Sequence, residues 1–510
     1  MTAAESGIPA VPEARTASGT VRGRHEDGLA VFRGVPYAQP PVGDARFAPP
    51  RPVRPWDGVR EAYAFGPPAP QGTTPMPGPP ETLNGDDWLT VNIWTPQADP
   101  AARRPVMVWI HGGAYVVGWS GSSDFDGSRL ARDGELVVVT LNYRLGMEGF
   151  AHIEGAPDNR GLLDQVAALE WVRENIAAFG GDPGNVTVFG ESSGAGSVAA
   201  LLAMPRAAGL FRRAVAQSAP GPYLSPELAR DVGTALAAGL GLPATVEGLS
   251  AVEPRRLTGA GDGLTMKMLQ HEDRWGAYAH TAMPFAPVVD GDVLPETPWT
   301  ALARGAARDV ELLAGHNRDE CRLFFVPTGI LAGIDDEKAA AALRAFAPGP
   351  DGERAYRQAY PAAGPDLLFE RVWSDWLFRM PSLHLAEAHA AGGGRAYLYE
   401  LTWPAPAQGG ALGACHGLDV PLVFGTFASD TGRLLLGPEP SPEAEELSAR
   451  FRTSWAAFAA TGDPGWPAYD AEQRLTRVLD ARPTVTGYPE EASRGIWQGH
   501  PFAALPLLGG

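Results

Sequence analysis

The chain has 510 residues, 45% of them hydrophobic and 20% charged, a globular balance with enough apolar side chains for a large core. Its 59 acidic against 41 basic residues leave a formal net charge of −18, which repels phosphate backbones and anionic membranes and argues against nucleic acid or a membrane surface as partner. Two cysteines, Cys321 and Cys415, are too few for the disulfide framework of a secreted protein this long and fit a reducing compartment.

The first twenty residues hold no apolar stretch behind a basic one, so no secretory signal is read, and no apolar run approaches the roughly 20 residues that span a bilayer. A cytoplasmic protein is expected. Residues 1–16, polar and alanine-rich, are expected to be a disordered tail. Val21, Leu29, Val31, Phe32 and Val35 suggest a short hairpin ahead of a proline-rich stretch, and residues 66–80, dominated by proline and glycine, read as loop. Continuous apolar runs follow at 106–110, 136–141, 186–189 and 310–314, the pattern of strands buried on both faces of a parallel sheet. Helical stretches lie between them, such as 161–179 with Leu162, Val166, Leu169, Val172 and Ile176. No linker divides the chain, so residues 17–505 are expected to form one α/β domain with large insertions.

The densest chemical signal is Gly190-Glu191-Ser192-Ser193-Gly194, a Gly-x-Ser-x-Gly pattern between the strand-like 186–189 and a helix of small and apolar residues at 195–204. Strand, tight turn and helix form a nucleophile elbow, which lifts a serine hydroxyl into the open, and a Cβ at either glycine would collide with neighbouring backbone. A serine needs help at neutral pH: a base, an acid to orient that base, and donors for the developing oxyanion. His111-Gly112-Gly113-Ala114, directly after the strand 106–110, is small enough for backbone N–H groups to face a carbonyl oxygen, together with the N–H of Ser193. Where an elbow serine precedes acid and base in the chain, His25, His111 and His152 fall out on order. His384 and His389 lie in a predicted helix, 381–390. His416 lies in the loop Gly413-Ala414-Cys415-His416-Gly417 after a strand-like 397–401, where a catalytic base belongs. For the acid, Asp319 and Glu320 both follow the strand 310–314, and local physics does not choose between them.

These residues, taken together, resemble the type-B carboxylesterases, the cholinesterase-like branch of the α/β-hydrolases, and within it the bacterial para-nitrobenzyl esterase group. The likeness runs from about Gly19 to about Tyr469. Residues Phe32-Arg33-Gly34-Val35-Pro36-Tyr37-Ala38 resemble the N-terminal signature, and 179–194 fit the serine-site pattern throughout. Asn142 to Gly146, Asp164-Gln165, Gln217-Ser218 and the Phe285, Pro287, Val288, Asp290, Gly291 set are further matches. The resemblance implies an α/β-hydrolase fold, with a large, mostly parallel sheet flanked by helices and long insertions forming an active-site gorge. It implies a serine hydrolase cleaving carboxylic esters through an acyl-enzyme. Ser192 maps to the nucleophile, Glu320 to the acid and His416 to the base, with Gly113, Ala114 and Ser193 as oxyanion donors and Ser218 and Asp419 as supporting groups. No cofactor or metal is expected. The partner is a small-molecule ester, and the chain is expected to be a monomer. The same machinery acting on amides, carbamates or lactones, or a catalytically inactive binding protein on this fold, are the alternatives. Two departures stand out: Trp88 replaces a cysteine used by disulfide-bonded relatives, and Cys321 replaces a usual glycine. Residues 66–80, 265–283 and 322–334 would shape the pocket, and none resembles a known binding site closely enough to name a substrate.

Overall fold

The computed structural model describes residues 11–72, 79–80 and 83–509. Fourteen strands are found among them. Three short ones, β1 (Glu13–Arg15), β2 (Thr20–Arg22) and β5 (Val59–Glu61), form a small separate sheet in the order β1-β2-β5. The other eleven form one large sheet: β3 (Arg24–Glu26), β4 (Leu29–Pro36), β6 (Thr90–Thr95), β7 (Arg104–Ile110), β8 (Val137–Leu141), β9 (Gly181–Glu191), β10 (Arg213–Gln217), β11 (Glu311–Asn317), β12 (Ala396–Leu401), β13 (Thr476–Leu479) and β14 (Thr484–Thr486). Its order is β14-β13-β12-β11-β10-β9-β7-β8-β6-β4-β3. From β8 to β13 every neighbouring pair is parallel, and antiparallel pairs lie only toward the two edges.

The four apolar runs read from the sequence are β7, β8, β9 and β11. Their side chains alternate between two cores, one on each face of the sheet: Val106, Val108 and Ile110 point into one, Met107 and Trp109 into the other. That explains runs without polar alternation. The expected hairpin is β3–β4, turned at Asp27 and Gly28, both with positive φ, while Val21 belongs to the small sheet. The helix expected at 161–179 is Arg160–Asn175 with a 3₁₀ turn, Ile176–Phe179, at its end.

The N-terminal expectation needs correction. Residues 1–10 lie outside the described residues, but Glu13–Arg15 form β1, paired antiparallel with β2, and Ala14 is buried. Alternation of Ala14 with charged neighbours was too short a signal to read as a strand. Of the expected loop 66–80, residues 73–78 lie outside the described residues, and 66–72 and 79–80 carry no helix or strand. No helix among the described residues is long and apolar enough to cross a membrane.

One consequence of the strand order positions the site. The neighbours β12, β11, β10, β9 and β7 all run parallel, so their C-terminal ends lie side by side at one edge. Residues following those ends include His416, Glu320, Ser218, Ser192 and the Gly112–Gly113 loop, in that spatial order.

Candidate active site

Ser192 sits between the end of β9 and the helix Ser193–Ala203, with φ 57° and ψ −129°. Such a backbone is strained for a residue with a Cβ, and the packing on either side enforces it. A Cβ on Gly194 would lie 2.1 Å from the Ile110 carbonyl oxygen, and one on Gly190 would lie 2.6 Å from the Gly194 carbonyl carbon. Real side chains do not approach below about 3 Å, so both glycines are required by contact. The Ser192 N–H donates to the Gln217 carbonyl at the end of β10 (3.0 Å), which ties the elbow to the neighbouring strand.

Facing it, the loop after β7 turns with φ of +113° at Gly113, 55° at Ala114 and 60° at Tyr115. A Cβ on Gly112 would stand 3.1 Å from the Ser192 Cβ, so this loop and the serine are in direct contact. Among the described residues no acceptor takes the N–H of Gly113 or Ala114, and the N–H of Ser193 opens a helix whose first amides have no intrahelical partner. The loop after β7 thus lies against the serine, which itself stands at the N-terminal end of a helix, where free amides and the helix dipole favour negative charge.

On the other side, His416 Nδ1 lies 2.6 Å from Glu320 Oε2. Glu320 is fully buried and its second oxygen is also engaged, accepting from the Ser218 hydroxyl (2.6 Å) and from the Asn317 N–H (2.8 Å). The loop backbones are laced together: Asp319 N–H to Ala414 carbonyl (2.9 Å) and His416 N–H to Glu320 carbonyl (3.0 Å). Asp319, the alternative acid, points elsewhere. It accepts from the Ala414 N–H at 2.9 Å and pairs with Arg318 and Arg322, each at 3.3 Å. Of the two acids that local sequence left open, Glu320 is the one whose carboxylate lies on the imidazole. Phe378 stacks on the His416 ring (centroids 4.1 Å apart, 27°) and Phe324 adds a second wall at 5.4 Å. Both come from the long insertion between β11 and β12.

The far side of the imidazole holds what sequence reasoning missed. Glu191, inside the elbow motif, places Oε1 3.1 Å from His416 Nε2, out of line for a hydrogen bond, and that oxygen has no hydrogen-bond partner among the described residues. Its place immediately before the nucleophile was the available signal. Burial, opposed by His416 and assisted by Asp419 and Glu320, pushes the Glu191 carboxyl up to about 8. Burial works against a charged His416, but the Glu191, Glu320 and Asp419 carboxylates outweigh it and push the imidazole up to about 9. These two shifts draw on one contact. The direction that stands on geometry is the upward pull of Glu320, whose carboxylate is aligned on Nδ1, with Glu191 adding to it only while ionised. Asp419, also raised by burial, accepts from Gln217 Nε2 (2.8 Å) and the Tyr399 hydroxyl (2.9 Å). It therefore supports the elbow through Gln217, whereas Ser218 touches the acid itself.

The other histidines are engaged elsewhere. His111 is buried, held down to about 4 by desolvation, with Nδ1 2.8 Å from the Gly112 carbonyl. His389 Nε2 bonds the Val310 carbonyl (2.8 Å), and burial holds His384 down to about 4. Among the described residues no group of three or more His, Cys, Asp or Glu side chains could hold a metal ion. Cys321 and Cys415 are free, both buried, and belong to different cores on opposite faces of the sheet.

Residues 10–494 match the carboxylesterase family. The chain is 39% identical to para-nitrobenzyl esterase of Bacillus subtilis over 94% of its own length and 97% of that protein's. It is 36% identical to phenmedipham hydrolase of Pseudarthrobacter oxydans, covering 92% and 95% of the two chains. The crystal structure of the Geobacillus stearothermophilus carboxylesterase Est55 superposes with a TM-score of 0.84 at 36% identity, over 95% of this chain and 100% of that one. With an α/β-hydrolase sheet and a serine elbow at its heart, the chain belongs to the carboxylesterase family and is a carboxylic ester hydrolase.

Proposed function

We propose that Ser192, His416 and Glu320 carry ester hydrolysis by a two-step acyl-enzyme route. Ser192 Oγ attacks the acyl carbonyl while His416 Nε2 takes its proton. The carbonyl oxygen, now negative, is received by the N–H groups of Gly113, Ala114 and Ser193. The tetrahedral intermediate collapses, the C–O bond to the alcohol breaks, and His416 returns the proton to the leaving alkoxide. Water then repeats the sequence on the acyl-enzyme and releases the carboxylic acid. Glu320 fixes the Nδ1–H tautomer and steadies the imidazolium, and Ser218 holds Glu320. For the first step the Nε2 edge must turn from Glu191 to its chain neighbour Ser192; catalytic hydrogen bonds are commonly loose before substrate binds.

The observation that carries the reading is the 2.6 Å contact between His416 Nδ1 and Glu320 Oε2, beside a serine held at φ 57°. The test is Ser192→Ala with p-nitrophenyl acetate. Loss of a triad member costs on the order of 10⁴–10⁶ in rate, and retention of more than about a tenth of wild-type turnover overturns the assignment. We further take the protein to act as a cytoplasmic monomer on small-molecule esters; its two free, buried thiols suit a reducing compartment. A panel of chromogenic esters graded by acyl length defines the preference, and phenmedipham belongs in it because a 36%-identical relative is named for hydrolysing it.

A further inference from the structure

Residues 365–391 are a helical rod interrupted by one wide turn: an α-helix, Pro365–Ser374, a π-helix, Asp375–Arg379, and a second α-helix, Met380–Ala391. The Met380 N–H reaches back five residues to the Asp375 carbonyl. The sequence supplies a cause. Pro381 has no N–H to offer the Leu377 carbonyl, and its ring crowds that position in a regular α-helix. The Leu377 carbonyl instead accepts the Gly221 N–H at 2.9 Å.

The wide turn aims three side chains at the acid and the base. Ser374 Oγ accepts the Cys321 N–H (3.0 Å), Arg379 Nη1 donates to the Arg318 carbonyl (3.2 Å), and Phe378 stacks on His416. Arg318 and Cys321 bracket Glu320, so the acid loop is held on both sides. In an uninterrupted α-helix residues 374 and 379 would lie about 140° apart around the axis. The wider turn returns Arg379 toward the face of Ser374, and such turns recur at functional sites. Arg379 is 1% exposed, with Nε 3.1 Å from Asp375 Oδ1 and Nη2 3.0 Å from Glu490 Oε2. Asp375 is itself fixed by the Tyr356 (2.7 Å) and Ser493 (2.6 Å) hydroxyls. A buried ion pair of this kind is weak evidence of stabilisation, since well-packed apolar residues of similar volume serve as well or better. Its distinctive product here is a guanidinium held in one orientation.

We propose that the π-helical turn Asp375–Arg379 is a positioning device for the acid–base pair, with Arg379 and Ser374 as positioning residues that act on Glu320 through its flanking backbone, and Phe378 fixing the plane of the imidazole. The inference rests on the triad reading above. Groups facing His416 are the carboxyls of Glu320, Glu191 and Asp419 and the rings of Phe324 and Phe378. Slackening the acid loop draws an aligned carboxylate away from Nδ1, so the imidazolium loses support and the pKa of His416 falls.

The experiment compares Arg379→Lys, Ser374→Ala and Phe378→Leu with Arg371→Lys, a control that pairs with Glu490 at 3.3 Å without touching the acid loop. Reactive sites are counted with a fluorophosphonate, so that misfolded protein does not enter kcat, and p-nitrophenyl acetate hydrolysis is followed from acid to mildly alkaline pH. Arg379→Lys and Ser374→Ala should each lose between about tenfold and a hundredfold in kcat, the scale of a displacement of about 1 Å, with KM within about twofold. The acid limb of kcat/KM should move to lower pH in both, and stay in place in Arg371→Lys. A merely structural role lowers thermal stability and the count of reactive sites without moving that limb. Should Arg379→Lys fail to fold, Ser374→Ala carries the same test. Wild-type kcat and an unmoved limb in fully labelled variants overturn the positioning proposal alone. Failure of the fluorophosphonate to label Ser192 in the wild type overturns the triad reading instead.

Discussion

Replacing Glu191 by glutamine isolates a buried carboxyl that lies 3.1 Å from the imidazole. Burial and its acidic neighbours, against the pull of His416, raise the Glu191 carboxyl from 4.5 to about 8, so between those values the folded protein holds a proton that the unfolded chain releases. The sign follows from linkage: a carboxyl raised on folding leaves stability intact below about 4.5, and stability is then lost as pH rises toward 8. At about 1.4 kcal/mol per pH unit the full span is ~5 kcal/mol. His416 and Asp419 are coupled to Glu191 and share that span, and taking about half of it leaves ~2 kcal/mol for Glu191 itself. Glutamine mimics the protonated carboxyl and has no such slope. Unfolding entropy of about 2.1 cal/mol/K per residue makes ~1 kcal/mol correspond to ~1 °C in a chain of this length. Scanning calorimetry should therefore find Glu191→Gln and wild type melting together near about pH 5, with the variant ~2 °C higher near about pH 8. A difference of equal size at both pH values refutes the reasoning, because Glu191 would then be ionised throughout and paired with a charged His416.

Glu320→Gln should lower kcat for p-nitrophenyl acetate by on the order of 10⁴ through loss of the imidazole's orientation, while Asp319→Asn, which keeps an acceptor for the Ala414 N–H, stays within about tenfold of wild type. The reverse ranking would shift the acid by one residue. Burial raises the thiols of both Cys321 and Cys415, and they lie in separate cores, so activity should not respond to reductant. Thiol titration of denatured, unreduced protein should count two; a count of zero in an intact monomer would mean a bridge next to the acid and base.

The parts of the site that are local in sequence were legible there. The elbow and the Gly112–Gly113 turn are short segments in which glycine is forced by contact with backbone a few residues or one strand away, so pattern and geometry coincide. The strands β7, β8, β9 and β11 were legible because both faces of each are buried. What depended on tertiary placement was not. Asp319 and Glu320 differ only in which one turns toward a loop that follows another strand. Glu191 stood in plain view, but its contact is with a histidine far along the chain. The segment 375–379 has ordinary helical periodicity, and its widening depends on Gly221 capturing a carbonyl that Pro381 cannot engage. β1 was missed because three residues with one buried alanine do not establish a period.

The central claim is that Ser192 is the nucleophile of an acyl-enzyme. Rapid acid quench of a p-nitrophenyl acetate reaction during the burst, followed by intact and peptide mass spectrometry, tests it directly. The account predicts one acetyl group per chain, on the peptide containing Ser192, accumulating with the p-nitrophenol burst and absent from Ser192→Ala. A stable acetyl group on another residue that forms with the burst, or a burst of undiminished size in Ser192→Ala, would contradict it.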